Sequence, residues 1–209
     1  MINLFYKRLL TVLVPLGISV FVLLYFIATL LYPGGSSINK TADGFSWLHN
    51  YWCNLLNPIA INGDVNKAQP LALLALIILC VTLLYFWFQF TKQFQTTKVF
   101  QLIIRGSSSI ALFVSLFLAT KINHDLITTV AGSLGAITLI ASVYVLYQNK
   151  LNALANYGVF NVLAMLFNQL LYRDAHWIYY LPLVQKLTFA SVLIWVLLVS
   201  IDKQKRYVS

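Results

Sequence analysis

His49, His124 and His176, together with Asp43, Asp64, Asp125 and Asp174, all fall in polar breaks that alternate topology assigns to one edge of the chain. Imidazoles and a carboxylate converging on one point can hold a divalent metal such as zinc, whose bound water would attack a lipid ester or amide. The ligand set for that chemistry is His49, His124, His176 and Asp125. A second reading gives His49, His124, Asp125, Asn168, Asp174, His176 and Lys186 to a polar pocket that recognises a lipid headgroup or another small polar ligand without reacting with it. In a third they are wetted loop residues of a scaffold or partner subunit. Spacing alone does not choose among the three. No HExxH or HxxxH pair fixes two metal ligands on one helix, and the His49–Cys53 interval of four recurs on any amphipathic helix.

The elements that position these residues are legible from composition. A chain of 209 residues with 60% hydrophobic and 9% charged residues, and a mean hydropathy of +0.81, lies outside the range of water-soluble domains. Spanning a bilayer takes about 20 predominantly apolar residues. Six such stretches occur, near 9–32, 71–91, 101–120, 125–147, 154–172 and 180–201, so residues 1–209 read as one polytopic domain, an all-α bundle of six transmembrane helices. The first stretch follows Lys7 and Arg8 but is too long for a signal peptide and lacks a small-x-small cleavage site, so it reads as a retained span.

A formal charge of +9 raises nucleic acid as a partner, but the basic residues are scattered over loops rather than gathered on one face, which excludes it. Their distribution instead predicts topology. Lys7, Arg8, Lys92, Lys98, Arg105, Lys150, Lys203, Lys205 and Arg206 lie to one side, against Lys40, Lys67, Lys121 and Arg173 on the other, so both termini are expected in the cytoplasm (N-in/C-in) of a bacterial cytoplasmic membrane. Trp47, Tyr51, Trp52, Trp177, Tyr179 and Tyr180 then form an outer aromatic belt, and Phe86, Trp87, Phe88, Tyr147 and Trp195 an inner one.

Lys186 is the most costly residue of the chain, since an ammonium in hydrocarbon costs on the order of 2.5 to 3.5 kcal/mol even on insertion scales. It is expected either to snorkel outward, being only about 6 Å past Pro182 at the helical rise, or to pair with Asp125 or Asp174. The 33–70 segment is the one connection long enough for structure of its own. Phe45, Leu48, Trp52, Leu55 and Leu56 recur at helical intervals and predict a short amphipathic helix on the outer interface. Cys53 and Cys80 differ in depth, which argues against a disulfide. In the fourth span, Ala131, Gly132, Gly135 and Ala136 predict close approach of a neighbouring helix.

The Tyr32-Pro33-Gly34-Gly35-Ser36 turn, the aromatic His49-Asn50 segment ending Cys53-Asn54-Leu55-Leu56, the His124-Asp125 helix start and Leu181-Pro182-Leu183-Val184-Gln185-Lys186 together give the chain a resemblance. It resembles an uncharacterised family of bacterial six-span membrane proteins, distantly similar to the damage-regulated autophagy modulator (DRAM-like) proteins and their relatives in lipid handling. The resemblance spans essentially the whole chain and implies the six-span architecture and membrane lipids as partners. It carries over no catalytic role, and Asn54 stands where related chains are expected to have aspartate.

Overall fold

The structure, a computed structural model, describes residues 2–120, 123–174 and 176–205, with side chains over 11–120, 123–174 and 176–202. Lys121 and Arg206, and the side chains of Lys7, Arg8, Lys203 and Lys205, all counted for topology, lie outside that description. Six helices make up the bundle: α1 Ile2–Leu31, α2 Gln69–Gln93, α3 Lys98–Ser115, α4 His124–Gln148, α5 Asn152–Arg173 and α6 Leu181–Lys205. Each supplies a segment long and apolar enough to cross a membrane, and the protein is an all-helical, multi-pass membrane protein. One end carries the 33–68 loop and the α5–α6 turn, here the loop end; the other carries the start of α1, the end of α6 and the α2–α3 and α4–α5 turns, here the terminal end.

Local chemistry sets the helix ends. Pro70 occupies the first turn of α2, where its missing N–H costs nothing. Asn123 caps α4 by accepting from the backbone N–H of Asp125 at 3.0 Å and Leu126 at 3.2 Å. After Leu31 the chain turns through Gly35, at φ 83°, where a side chain would strike the backbone of Ile61 and Asn62.

Consecutive helices pack as neighbours and α1 also touches α6, which closes the bundle. The core is aromatic. Phe86 and Trp87 of α2 meet Trp195 of α6 with ring centroids 6.5 and 6.1 Å apart, and the Trp195 indole N–H donates to the Leu154 carbonyl at 2.8 Å. Phe86, Trp87 and Trp195 are therefore buried and do not form the inner belt expected of them, whereas Phe88 and Tyr147 remain exposed. Large rings fill the gap between α2 and α6 because the close crossings lie elsewhere. A Cβ on Gly17 would collide with Thr82 of α2, and one on Gly158 with Val143 of α4. The small-residue stripe of α4 is not such a crossing: Gly132 and Gly135 face open space.

The loop carries a short helix, but it is a single five-residue 3₁₀ turn, Trp52–Leu56, instead of the whole aromatic segment. Side chains intercept the backbone donors a longer helix needs. Asn50 Oδ1 accepts from the Ser46 N–H at 2.9 Å, Ser46 Oγ from His49 N–H at 3.3 Å, and Asn54 Oδ1 from Tyr51 N–H at 2.7 Å. Leu55 and Leu56 are buried beneath the loop while Leu48 points outward.

Candidate functional site

The loop end holds all the residues singled out for chemistry, and most are bonded to one another's surroundings. Lys186 lies one turn into α6 and is only 6% exposed. Its ammonium donates to the carbonyls of Asn50 and, at 2.9 Å, Pro182, and sits 5.7 Å from the centroid of the Phe45 ring. It neither snorkels nor pairs with Asp125 or Asp174. The loop folds over it and supplies carbonyl dipoles in place of a carboxylate, which neutral oxygen ligands do at lower desolvation cost than a second buried charge. Asn50, itself fully buried, is held by its amide N–H to the Gly35 carbonyl at 2.8 Å. Asn66, equally enclosed, donates to the carbonyls of Leu55 at 3.1 Å and Asn57 at 2.7 Å and accepts from the Ala68 N–H, tying the loop to the start of α2.

His49 is used on both ring nitrogens: Nδ1 lies 3.1 Å from Ser46 Oγ and Nε2 3.0 Å from the Tyr179 hydroxyl. It fastens the loop to the α5–α6 turn. His49 is not on a helix, so the interval to Cys53 places no two ligands side by side. Cys53 is half-buried beneath the loop, both cysteines are free, and burial pushes the Cys53 thiol up to about 11. His176 pairs with Asp174 at 3.3 Å on the exposed surface. The Asp125 carboxylate lies beside the Tyr172 hydroxyl. His124, next to Asp125 in sequence, keeps a buried Nε2 without a hydrogen-bond partner among the described residues. Asn168 reaches across to α6, donating to Thr188 Oγ1 at 2.7 Å and to its own helix at Ala164. Thus His49, Lys186 and Asn168 lock elements together, and among the described residues no three His, Cys, Asp or Glu side chains gather as a metal site.

The terminal end is different. Between the last turn of α2, the 94–97 turn and the first turns of α3 lies an open recess of about 410 Å³, lined by Thr91, Lys92, Gln93, Phe94, Gln95, Thr96, Gln101 and Arg105. Arg105 Nε donates to Thr91 Oγ1 at 2.7 Å, and its guanidinium carbon is 5.4 Å from the Phe88 ring centroid. Thr91, 2% exposed, passes its own proton to the Phe88 carbonyl at 3.1 Å, so the acceptor Arg105 uses is fixed. That bond consumes the inner edge of the guanidinium and leaves its two terminal nitrogens without a partner among the described residues. The facing turn is equally fixed: Asn149, at the end of α4, accepts from the Gln95 N–H at 3.1 Å and donates to the Gln95 carbonyl at 2.9 Å. Thr96 Oγ1, in the same wall, is buried without a partner.

By sequence Arg105 is one of the basic residues that set topology. The signal that singles it out is its isolation: it is the one charged residue between Lys98 and Lys121, seven positions into α3, hence about 10 Å along the helix axis. Among the described residues the Asp174–His176 contact is the one ion pair, so this buried-edge arginine is not neutralised by a carboxylate. Comparison with family models, curated proteins and solved structures finds no match to this chain. The class defined by fold and site is a six-helix integral membrane protein with a pinned loop at one end and a basic recess at the other.

Proposed function

We propose that the protein is a lipid-associated, non-catalytic membrane protein that recognises a phospholipid headgroup through its phosphate in the Arg105 recess. The observation that carries this reading is the half-spent guanidinium: Nε is tied to Thr91, the terminal nitrogens have no partner among the described residues, and Arg105 lines a recess shared with Lys92. A planar fork held on one edge presents two parallel donors, the arrangement that binds phosphate oxygens bidentately. The lining is made of cations, amides, hydroxyls and one aromatic ring, without a histidine, thiol or carboxylate to act on a bound ester. On the charge rule this end faces the cytoplasm, where anionic headgroups collect basic pockets between helices.

We thereby put recognition at the terminal end and not at the loop end, where residue types suggested it and where His124 Nε2 and Trp52 Nε1 are also buried without a partner among the described residues. The metal-hydrolase alternative draws no support from the separated placement of His49, His124, His176 and Asp125. Delipidated protein should gain thermal stability when phospholipid is restored: at a hundredfold excess over Kd, binding contributes about 2.7 kcal/mol, or about 5 to 10 °C for a chain of this size. Arg105→Gln should lose most of that gain. An equal gain in wild type and Arg105→Gln would remove the basis for the reading.

A further inference from the structure

We infer that the Arg105 recess selects headgroups of net negative charge over zwitterionic ones, so that its lipid class is the anionic phospholipids. The inference rests on the phosphate reading above and adds to it the sign of the rest of the headgroup. A phosphocholine or phosphoethanolamine group brings an ammonium a few ångströms from its phosphate, and that ammonium needs a carboxylate, a carbonyl cluster or an aromatic cage. The chain contains no glutamate, and Asp43, Asp64, Asp125 and Asp174 all lie at the loop end. The fifth aspartate, Asp202, is near the end of α6 and does not line the recess. Against this, Lys92 shares the recess wall with Arg105, and Lys98 is the first residue of α3. Phe88 is already covered by the guanidinium. An ammonium entering here meets the tied Arg105 guanidinium with the exposed Lys92 beside it and no carboxylate among the described lining residues, whereas a glycerol or second phosphate meets the Gln101 and Thr96 polar groups and Lys92.

The ligand is a lipid and not a free anion because the recess opens beside an apolar surface. Val99 and Leu102, in the first turns of α3, are 64% and 74% exposed, a path for acyl chains along the helix. A free phosphate gains nothing from that face.

The test is native mass spectrometry of the full chain released from detergent containing phosphatidylglycerol and phosphatidylcholine of identical acyl chains, with inorganic phosphate as a separate arm. Wild type should retain phosphatidylglycerol about tenfold over phosphatidylcholine. Lys92→Gln, a change at an exposed side chain that leaves the fold intact, should bring that ratio close to one, and rising salt should do the same. Equal retention of both lipids by wild type, with both lost in Arg105→Gln, would overturn the selectivity while leaving phosphate recognition standing. Retention of both lipids undiminished in Arg105→Gln would overturn the phosphate reading along with it. Displacement of phosphatidylglycerol by inorganic phosphate at equal concentration would overturn the lipid assignment in favour of a free anion.

Discussion

The two ends of this bundle carry opposite combinations of chemical content and availability. The loop end has three histidines, four aspartates, a thiol and a buried lysine, and its strongest donors are consumed by the fold: Lys186 by two carbonyls, His49 by Ser46 and Tyr179. The terminal end has a far plainer inventory, yet the two terminal nitrogens of Arg105 have no partner among the described residues and Asn149 holds the opposite wall in place. The difference teaches that residue type locates chemistry only after the internal hydrogen-bond account is closed. A costly group inside a membrane must be satisfied, and whether the fold or a ligand satisfies it separates a structural pin from a binding site.

The largest expected effect lies at the pin. Lys186→Met leaves the Asn50 carbonyl buried without its donor and should lower stability by roughly 1 to 3 kcal/mol in detergent unfolding; a loss below about 0.5 kcal/mol would mean that the loop is not held there. Next in size is the reactivity of Cys53. With its thiol at about 11 against an ordinary 9.0, it holds roughly a hundredfold less thiolate at neutral pH. Labelling by a maleimide should therefore be slower by about that factor than at an introduced Ser37→Cys, and should climb tenfold per pH unit until about 11. Equal rates at neutral pH would show the loop open. A membrane-impermeant reagent at the Ser37→Cys position also reports which side the loop end faces.

Smaller effects separate the true helix crossings from the apparent one. Gly158→Ala drives a methyl group into Val143 and should cost about 1 to 3 kcal/mol, while Gly135→Ala, facing open space, should stay within about 0.5 kcal/mol of wild type. The reverse order would restore α4 as the packing face. The smallest change is expected for Tyr179→Phe, which removes a hydrogen bond between exposed groups and should cost no more than about 0.5 kcal/mol in the same unfolding measurement.

The spans were legible in the sequence because hydropathy over about 20 residues is a property of composition, insensitive to partners. The helical content of the loop was not, since the Phe45 to Leu56 spacing is helical while Ser46, Asn50 and Asn54 sit where their side chains take the backbone donors. Trp87 and Trp195 read as interfacial by type, yet the helix faces that bear them turn inward, which only the arrangement of neighbours decides. The same holds for Gly132 and Gly135, whose spacing matches a crossing that Gly17 and Gly158 actually make. Arg105 is a lone charge within a span, but that only its Nε is engaged among the described residues depends on Thr91, fourteen residues away.

The most direct test is a high-resolution map of the protein in bilayer discs of anionic phospholipid. Phosphate density is expected in the recess within about 3 Å of the terminal nitrogens of Arg105, with acyl density along Val99 and Leu102. An empty recess together with an ordered headgroup at His124 and Asp125 would contradict that expectation and return recognition to the loop end.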